Sequence, residues 1–464
     1  MAFGMFKKNN FADVIYTNGR FFTQTPDLPW VSAVACKDGR ILSAGDIEQM
    51  EQLKSADTQI IDLKGQYAFP GFIDVRGTPV LKAFEERYLA IDPVWDLDTV
   101  LEATAEYAES ESSEVIFGYG YNEHILTDYE DADEAHRLLD EIESERPVVL
   151  LGISGIHCWF NTAAAAMIEE AAESEGIQYV SPDYALNLLS PFDFDEIGQQ
   201  VRRISEELCE RGITSSFNVY SPDYLGNLYR DCLIAMEGEG MPIRQRFTDS
   251  LYVNRPVNPE LILYKLSAGR DDCAEISDLI RFDFLKLDVC EDENLACFSD
   301  EALETICLLA AEKGFNIHID ALDGPSVIQV EKAFGLLREK GCGKNTLILA
   351  ADKTEEDGEN RWITTYPSDY LNNSVFGHCK TVREAVDQLT IQAAAIIGRT
   401  DELGSIEKGK LADFTVFEEN PLDGDLRKFS RMQASMTILS GQVAYDEEEA
   451  ANDEMFDLLM SMRL

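Results

Sequence analysis

Short apolar runs broken by glycine-containing turns open the chain. Val14–Tyr16 precedes Asn18-Gly19, Val31–Cys36 precedes Asp38-Gly39, Ile41–Ala44 precedes Gly45, and Ile60–Leu63 precedes Lys64-Gly65. Runs of this length between Asn-Gly or Asp-Gly pairs predict strands joined by tight hairpins. The far end repeats the pattern with Phe414–Phe417, Asn420-Pro421, Met436–Leu439, Ser440-Gly441 and Gln442–Tyr445. Between the two ends, strand-length apolar runs alternate with longer stretches of helical period. The runs are Ala68–Ile73, Val115–Phe117, Val148–Leu151, Ile213–Asn218, Ile243–Phe247, Phe284–Val289, Asn316–Ile319, Leu347–Ala350 and Ile363–Tyr366. Helical periodicity covers Leu97–Glu109, Glu196–Arg211, Asp300–Lys313 and Pro325–Lys340. Repeated βα units predict a parallel sheet, and about eight of them close into a barrel. The expected fold is α/β: a (β/α)8 TIM-type barrel over 69–400 plus a small β-sandwich built from both chain ends, 1–68 and 401–446. Residues 447–464 turn acidic and then apolar, which predicts an amphipathic tail helix packing on the body or on a neighbour in a homo-oligomer.

Length supports more than one core, because 464 residues exceed the ~250–300 at which a single core stops growing. Charge narrows the partners. Lys+Arg number 39 and Asp+Glu 86, a formal net charge of −47. Such a field repels phosphate backbones and anionic lipid, so neither nucleic acid nor a membrane surface is an expected partner. A small-molecule ligand is. The ten cysteines are scattered without a C-x-x-C pair, which suits free thiols in a reducing cytoplasm. Val148–Ile168 has no charged residue and is long enough to span a bilayer, but Gly152, Ser154, Gly155, His157 and Asn161 interrupt it. A buried strand, a turn and a helix starting at Asn161/Thr162 is the better prediction.

Three segments resemble the amidohydrolase superfamily, in particular its amidohydrolase 3 group. Phe69-Pro70-Gly71-Phe72-Ile73-Asp74 is similar to the family's opening barrel strand. Gly404 to Phe417, reading GSIEKGKLADFTVF after the helix Leu389–Ile397, is similar to its return into the β-domain. Arg146-Pro147-Val148-Val149 followed by His157 and Asn161, with Gly118-Tyr119-Gly120-Tyr121 upstream, is a looser third match. The resemblance implies the barrel and shared β-sandwich, and hydrolysis of carbon–nitrogen bonds other than peptide bonds in small molecules. It also implies one or two divalent metals, commonly zinc, held by two histidines after the first strand, a middle-strand lysine, two later histidines and an aspartate. Such a metal lowers the pKa of a bound water for attack on a carbonyl-type carbon.

The ligand pattern departs from the family at several positions. Arg76 and Thr78 stand where the two histidines belong, and a guanidinium has no lone pair to offer. Asp320 stands at the next histidine, and Leu347–Asp352 carries none. Lys286 matches the lysine and Asp369 the late aspartate. No metal or other cofactor is therefore expected. The candidate catalytic residues are Lys286, Asp320 and Asp369, and the candidate substrate-binding residues are Arg76, His157 and His318. Each has a structural alternative: Arg76 in a salt bridge to Asp320 or Asp369, Lys286 as a partner of Asp288 or Asp320, and the histidines as hydrogen-bonded core groups. Two functions follow. One is a fold that binds a small ligand or acts structurally without hydrolysis; the other is a hydrolase with an altered or metal-free site.

Overall fold

The computed structural model of the chain describes residues 11–75, 77, 79–127, 129, 132–153, 157–177, 180, 182–219, 244–253, 258–290, 297–342, 344–351, 363–365 and 379–451. Two compact units divide it. The first takes Met1–Thr78, Ile204–Tyr220 and Pro242–Leu464, and the second Pro79–Arg203 and Ser221–Met241.

A seven-stranded parallel sheet is the centre of the first unit. From one edge its strands are Phe72–Asp74, Ile213–Asn218, Arg246–Val253, Ile280–Val289, Asn316–Ala321, Leu347–Ala350 and Ile363–Thr365, each parallel to the next. Strand side chains alternate between faces, and both faces are buried, as crossover helices require. On one face Leu285, Leu287, Val289, Ile317 and Ile319 pack against Leu303, Ile306, Val330 and Phe334 of helices Asp300–Glu312 and Gly324–Glu339. On the other, Phe217, Phe284 and Ile348 meet Ala393 and Ile396. The helices begin where short polar side chains can satisfy their first amides: Ser299 accepts from Ala302 N and Asp323 from Ser326 N.

Two other sheets complete this unit. One has the order Arg40–Gly45, Ala33–Lys37, Val14–Thr17, Gln59–Asp62. The other runs Gln442–Asp446, Met436–Leu439, Phe414–Phe417, Tyr67–Pro70, Arg20–Phe22, Trp30–Val31, so strands from both ends of the chain share it. Asp38-Gly39 and Ser440-Gly441 are two-residue hairpin turns, with positive φ at both residues of each. Asn18-Gly19 and Lys64-Gly65 are not hairpins. Each carries the chain from one of these sheets to the other, and the two crossings are tied by Gly65 N donating to Asn18 O at 2.7 Å. Asn-Gly chemistry specifies a tight turn, but which strand pairs next is set by the partners available.

The run Ala68–Ile73 is likewise two strands, not one. It breaks at Gly71, whose N donates to Asp413 O, and strand Phe72–Asp74 joins the parallel sheet instead. A Cβ at Gly71 would come within 2.2 Å of Thr214 Oγ1. At Gly212 φ is +76° and a Cβ would lie 1.9 Å from Thr415 Cγ2, while Thr415 Oγ1 donates to Gly212 O. Both glycines let the parallel sheet lie directly on strand Phe414–Phe417.

The second unit corrects another expectation. Val115–Phe117 and Val148–Leu151 do not enter the parallel sheet. They lie in a separate four-stranded sheet with the order Cys158–Phe160, Val148–Gly152, Ile116–Tyr121, Leu89–Ala90. A fully buried run reads alike in either sheet, so periodicity could not separate them. The uncharged stretch from Val148 is two strands and the start of helix Thr162–Glu175, whose cap Asn161 accepts from Ala164 N. Among the described residues no helix is long and apolar enough to cross a membrane. The tail over 452–464 lies outside the described residues.

Candidate functional site

Three adjacent strands of the parallel sheet, Arg246–Val253, Ile280–Val289 and Asn316–Ala321, bring polar side chains together at their carboxyl ends. Each contributes its penultimate residue: Tyr252, Asp288 and Asp320. One row deeper, Lys286 pairs in register with Tyr252 on one side and His318 on the other. Residues i and i+2 of a strand share a face, so Lys286 with Asp288 and His318 with Asp320 point the same way.

Lys286 is the hub. Its side chain is 2% exposed, yet Nζ donates to Asp288 Oδ1 and to Leu287 O, and lies 3.3 Å from Asp320 Oδ2. Asp288 also accepts from Tyr252 OH at 2.7 Å, and the ammonium sits 5.7 Å from the Tyr252 ring centroid. That distance lies within cation–π reach. His318 Nδ1 is 3.7 Å from Asp320 Oδ1, longer than a hydrogen bond, and its ring packs edge-on against Phe217. Two carboxylates and one ammonium leave the group with a formal excess of negative charge.

His157 lies in the second unit, exposed at the turn before Cys158–Phe160, and its carbonyl accepts from Gly152 N. Arg76, Thr78, Asp352 and Asp369 lie outside the described residues. Sequence reasoning weighed Asp288 only as a lysine partner and passed over Tyr252, because the strand was expected to end at Phe247. Two-residue alternation through Tyr252 was the available signal.

Asp249 was also missed. Its carboxyl is fully buried and accepts from Asn218 Nδ2 at 3.0 Å and Ser250 N at 2.8 Å. Burial is the larger influence, and the group is pushed up to about 7.

The described donors do not fit a divalent ion. Among them no three His, Cys, Asp or Glu side chains converge as a metal site needs. The lysine enters as a cation already shared by two carboxylates, and it would repel a dication beside it. What the arrangement offers is a pre-organised set of hydrogen-bonding groups at the ends of rigid strands.

Comparison with known proteins bears on this geometry. The sequence pattern of the amidohydrolase family matches residues 59–345 and 374–445. Imidazolonepropionase of Streptococcus sanguinis is 19% identical over 424 residues, 89% of this chain and 90% of that protein. The exoenzymes regulatory protein AepA of Pectobacterium carotovorum subsp. carotovorum is 26% identical over 168 residues, 35% of this chain, and the match spans only 36% of its own length. An uncharacterized metal-dependent hydrolase from Pyrococcus horikoshii OT3 superposes with a TM-score of 0.59 at 15% identity, covering 89% of this chain and 99% of that one. At that identity the structural likeness is one of fold.

Proposed function

The chain belongs to the amidohydrolase family, and from that premise we propose that it binds a small molecule at the carboxyl ends of its parallel strands without the family's metal-assisted hydrolysis. The observation that carries this reading is the occupation of Lys286. In the family the matching lysine is often carboxylated and binds metal; here the Lys286 Nζ is engaged by the carboxylates of Asp288 and Asp320. One of the two negative charges that would face a dication is thereby balanced from within, and we infer that the site recognises its ligand through hydrogen bonds and the Tyr252 ring. Likeness to the Pyrococcus horikoshii fold supports closing the parallel sheet into a (β/α)8 barrel over 69–400. The shared six-stranded sheet supports a β-sandwich from 1–68 and 401–446.

Metal content tests the reading. Full-length protein purified without chelator should hold well under one equivalent of Zn, Fe, Mn or Ni, and its melting temperature should not change on adding EDTA. A saturable shift of that temperature in a small-molecule screen should vanish in Tyr252→Phe or Asp320→Asn. Stoichiometric metal, lost with EDTA together with hydrolysis of an amide or amidine substrate, overturns it. That outcome is the second reading, an active hydrolase of carbon–nitrogen bonds, which the near full-length match to imidazolonepropionase favours.

A further inference from the structure

At the opposite, amino-terminal ends of the parallel strands lies a cluster that the Lys286 site does not use. Arg281 is the second residue of strand Ile280–Val289, Arg40 opens strand Arg40–Gly45, and Arg399 follows helix Ala393–Ile396. All three converge on one carboxylate. Arg40 Nη2 lies 2.8 Å from Glu402 Oε1, and Arg281 Nη2 and Arg399 Nη2 each lie 3.0 Å from Oε2. The neighbouring Arg246 is matched by its own partner, Asp413.

Among the described residues, three guanidiniums on a single carboxylate leave two positive charges in excess, in a chain whose formal net charge is −47. Elsewhere in the chain the balance runs the other way. The Arg399 side chain is 4% exposed, and its Nη1 is buried without a hydrogen-bond acceptor among the described residues. A charged donor in that state is short of a hydrogen-bond acceptor, and a charged acceptor satisfies it most strongly. Burial, followed by the charge of Arg281, holds the Arg399 guanidinium down at about 10. Burial alone would raise the Glu402 carboxyl. The Arg40 hydrogen bond and the charges of Arg399 and Arg281 outweigh it, and the group is held at about 2. The accessible side of the cluster is formed by Arg40 and Arg281, 46% and 40% exposed; Arg40 Nη1 donates to Gly409 O at 3.0 Å and Nη2 to Glu402, so Arg40 adds charge while the planar fork of Arg281 matches an oxyanion.

From the shared carboxylate, the excess charge and the orphaned Arg399 donor, we infer that Arg40, Arg281 and Arg399 form a binding site for a small phosphate-class oxyanion. The site is separate in residues from the Lys286 group and does not depend on what that group does.

Thermal unfolding of the full chain in inorganic phosphate, at ionic strength fixed with sodium chloride, tests this. The melting temperature should rise saturably in wild type, with apparent affinity falling at least tenfold in Arg281→Gln. Lys332→Gln, which removes a surface cation paired with Asp300 and Glu304, should keep the full shift. Glu402→Gln removes the internal anion; it should melt lower than wild type in chloride and recover more than wild type on adding phosphate. Tighter binding of a phosphomonoester such as glycerol phosphate would assign the site to an organic phosphate; weaker binding would assign it to the free ion. A phosphate effect no larger than that of chloride overturns the inference, as does an equal shift in Arg281→Gln or a Glu402→Gln protein that phosphate does not restore.

Discussion

Replacing Asp413 by Asn tests the buried ion pair between the parallel sheet and the sheet shared by the chain ends. Asp413 immediately precedes strand Phe414–Phe417, and Arg246 opens strand Arg246–Val253. Their side chains are 1% and 4% exposed. Arg246 donates through Nε at 2.6 Å and Nη2 at 3.0 Å, and Ser440 N donates to the same carboxylate at 2.8 Å. Asn keeps the shape but removes the charge and puts a donor against a guanidinium. Breaking a buried pair from one side costs about 3–5 kcal/mol, chiefly because the surviving charge has no partner. The Ser440 amide adds little if the Asn oxygen turns toward it, so about 4 kcal/mol is expected. Urea unfolding followed by circular dichroism and by fluorescence measures the loss. Trp30 packs on Phe22 and Phe69 in the shared sheet, which makes fluorescence sensitive to that region. The double variant Arg246→Met/Asp413→Leu removes both charges and should regain more than half of the loss. An Asp413→Asn protein within 1 kcal/mol of wild type, where ~4 is expected, would refute the reasoning.

Asp249 gives a pH dependence. Its folded-state pKa of about 7 lies above its unfolded value, so the folded state binds the extra proton, and this stability is present at low pH and lost as pH rises toward 7. Asp249→Asn should flatten the fall in urea midpoint between pH 5 and 8, an effect on the order of 2–4 kcal/mol at ~1.4 kcal/mol per pH unit; parallel profiles would dismiss it. Lys286→Met leaves Asp288 and Asp320 without their shared cation and should cost about 3 kcal/mol, slightly discounted because the acids are partly exposed. Adding Asp320→Leu should recover part of that loss, and an additive double variant would count against the shared ion pair. Gly212→Ala must adopt a left-handed backbone against Thr415 and should cost at least ~2 kcal/mol. Unchanged melting in that variant would show that the close approach is not required.

Local signals were legible where local chemistry decides. Asp38-Gly39 and Ser440-Gly441 turn where their residue types demand, and the helices at Leu97, Asp300 and Gly324 start within a residue or two of their expected positions, behind Asp96, Ser299 and Asp323 as caps. Lys286 and Asp320 could be singled out because a resemblance marked their strands. What could not be read was pairing at a distance. Nothing near Asp413 names Arg246, and nothing near Arg281 or Arg40 names Glu402; those partners are chosen by how sheets stack. The assignment of Val148–Leu151 to the wrong sheet has the same origin, since burial on both faces erases the alternation that would have distinguished it.

Strand Tyr67–Pro70 has consequences in time as well as in space. Its permanent neighbour is Phe414–Phe417, and the hydrogen bond just beyond it, from Phe72 N to Thr415 Oγ1, joins residues 343 apart in the chain. At synthesis rates of ~5–20 residues per second, the ribosome needs about 20–70 s to supply that neighbour. Throughout that interval an aromatic-rich strand carrying Phe69 waits with one edge unpaired, open to any other extended segment. Until then the first seventy residues lack the partner strand that completes their sheet. Slowing translation across the middle of the gene should raise aggregation more than any single surface substitution, and co-expressed chaperones should matter most for the nascent chain and little once Phe414 has emerged.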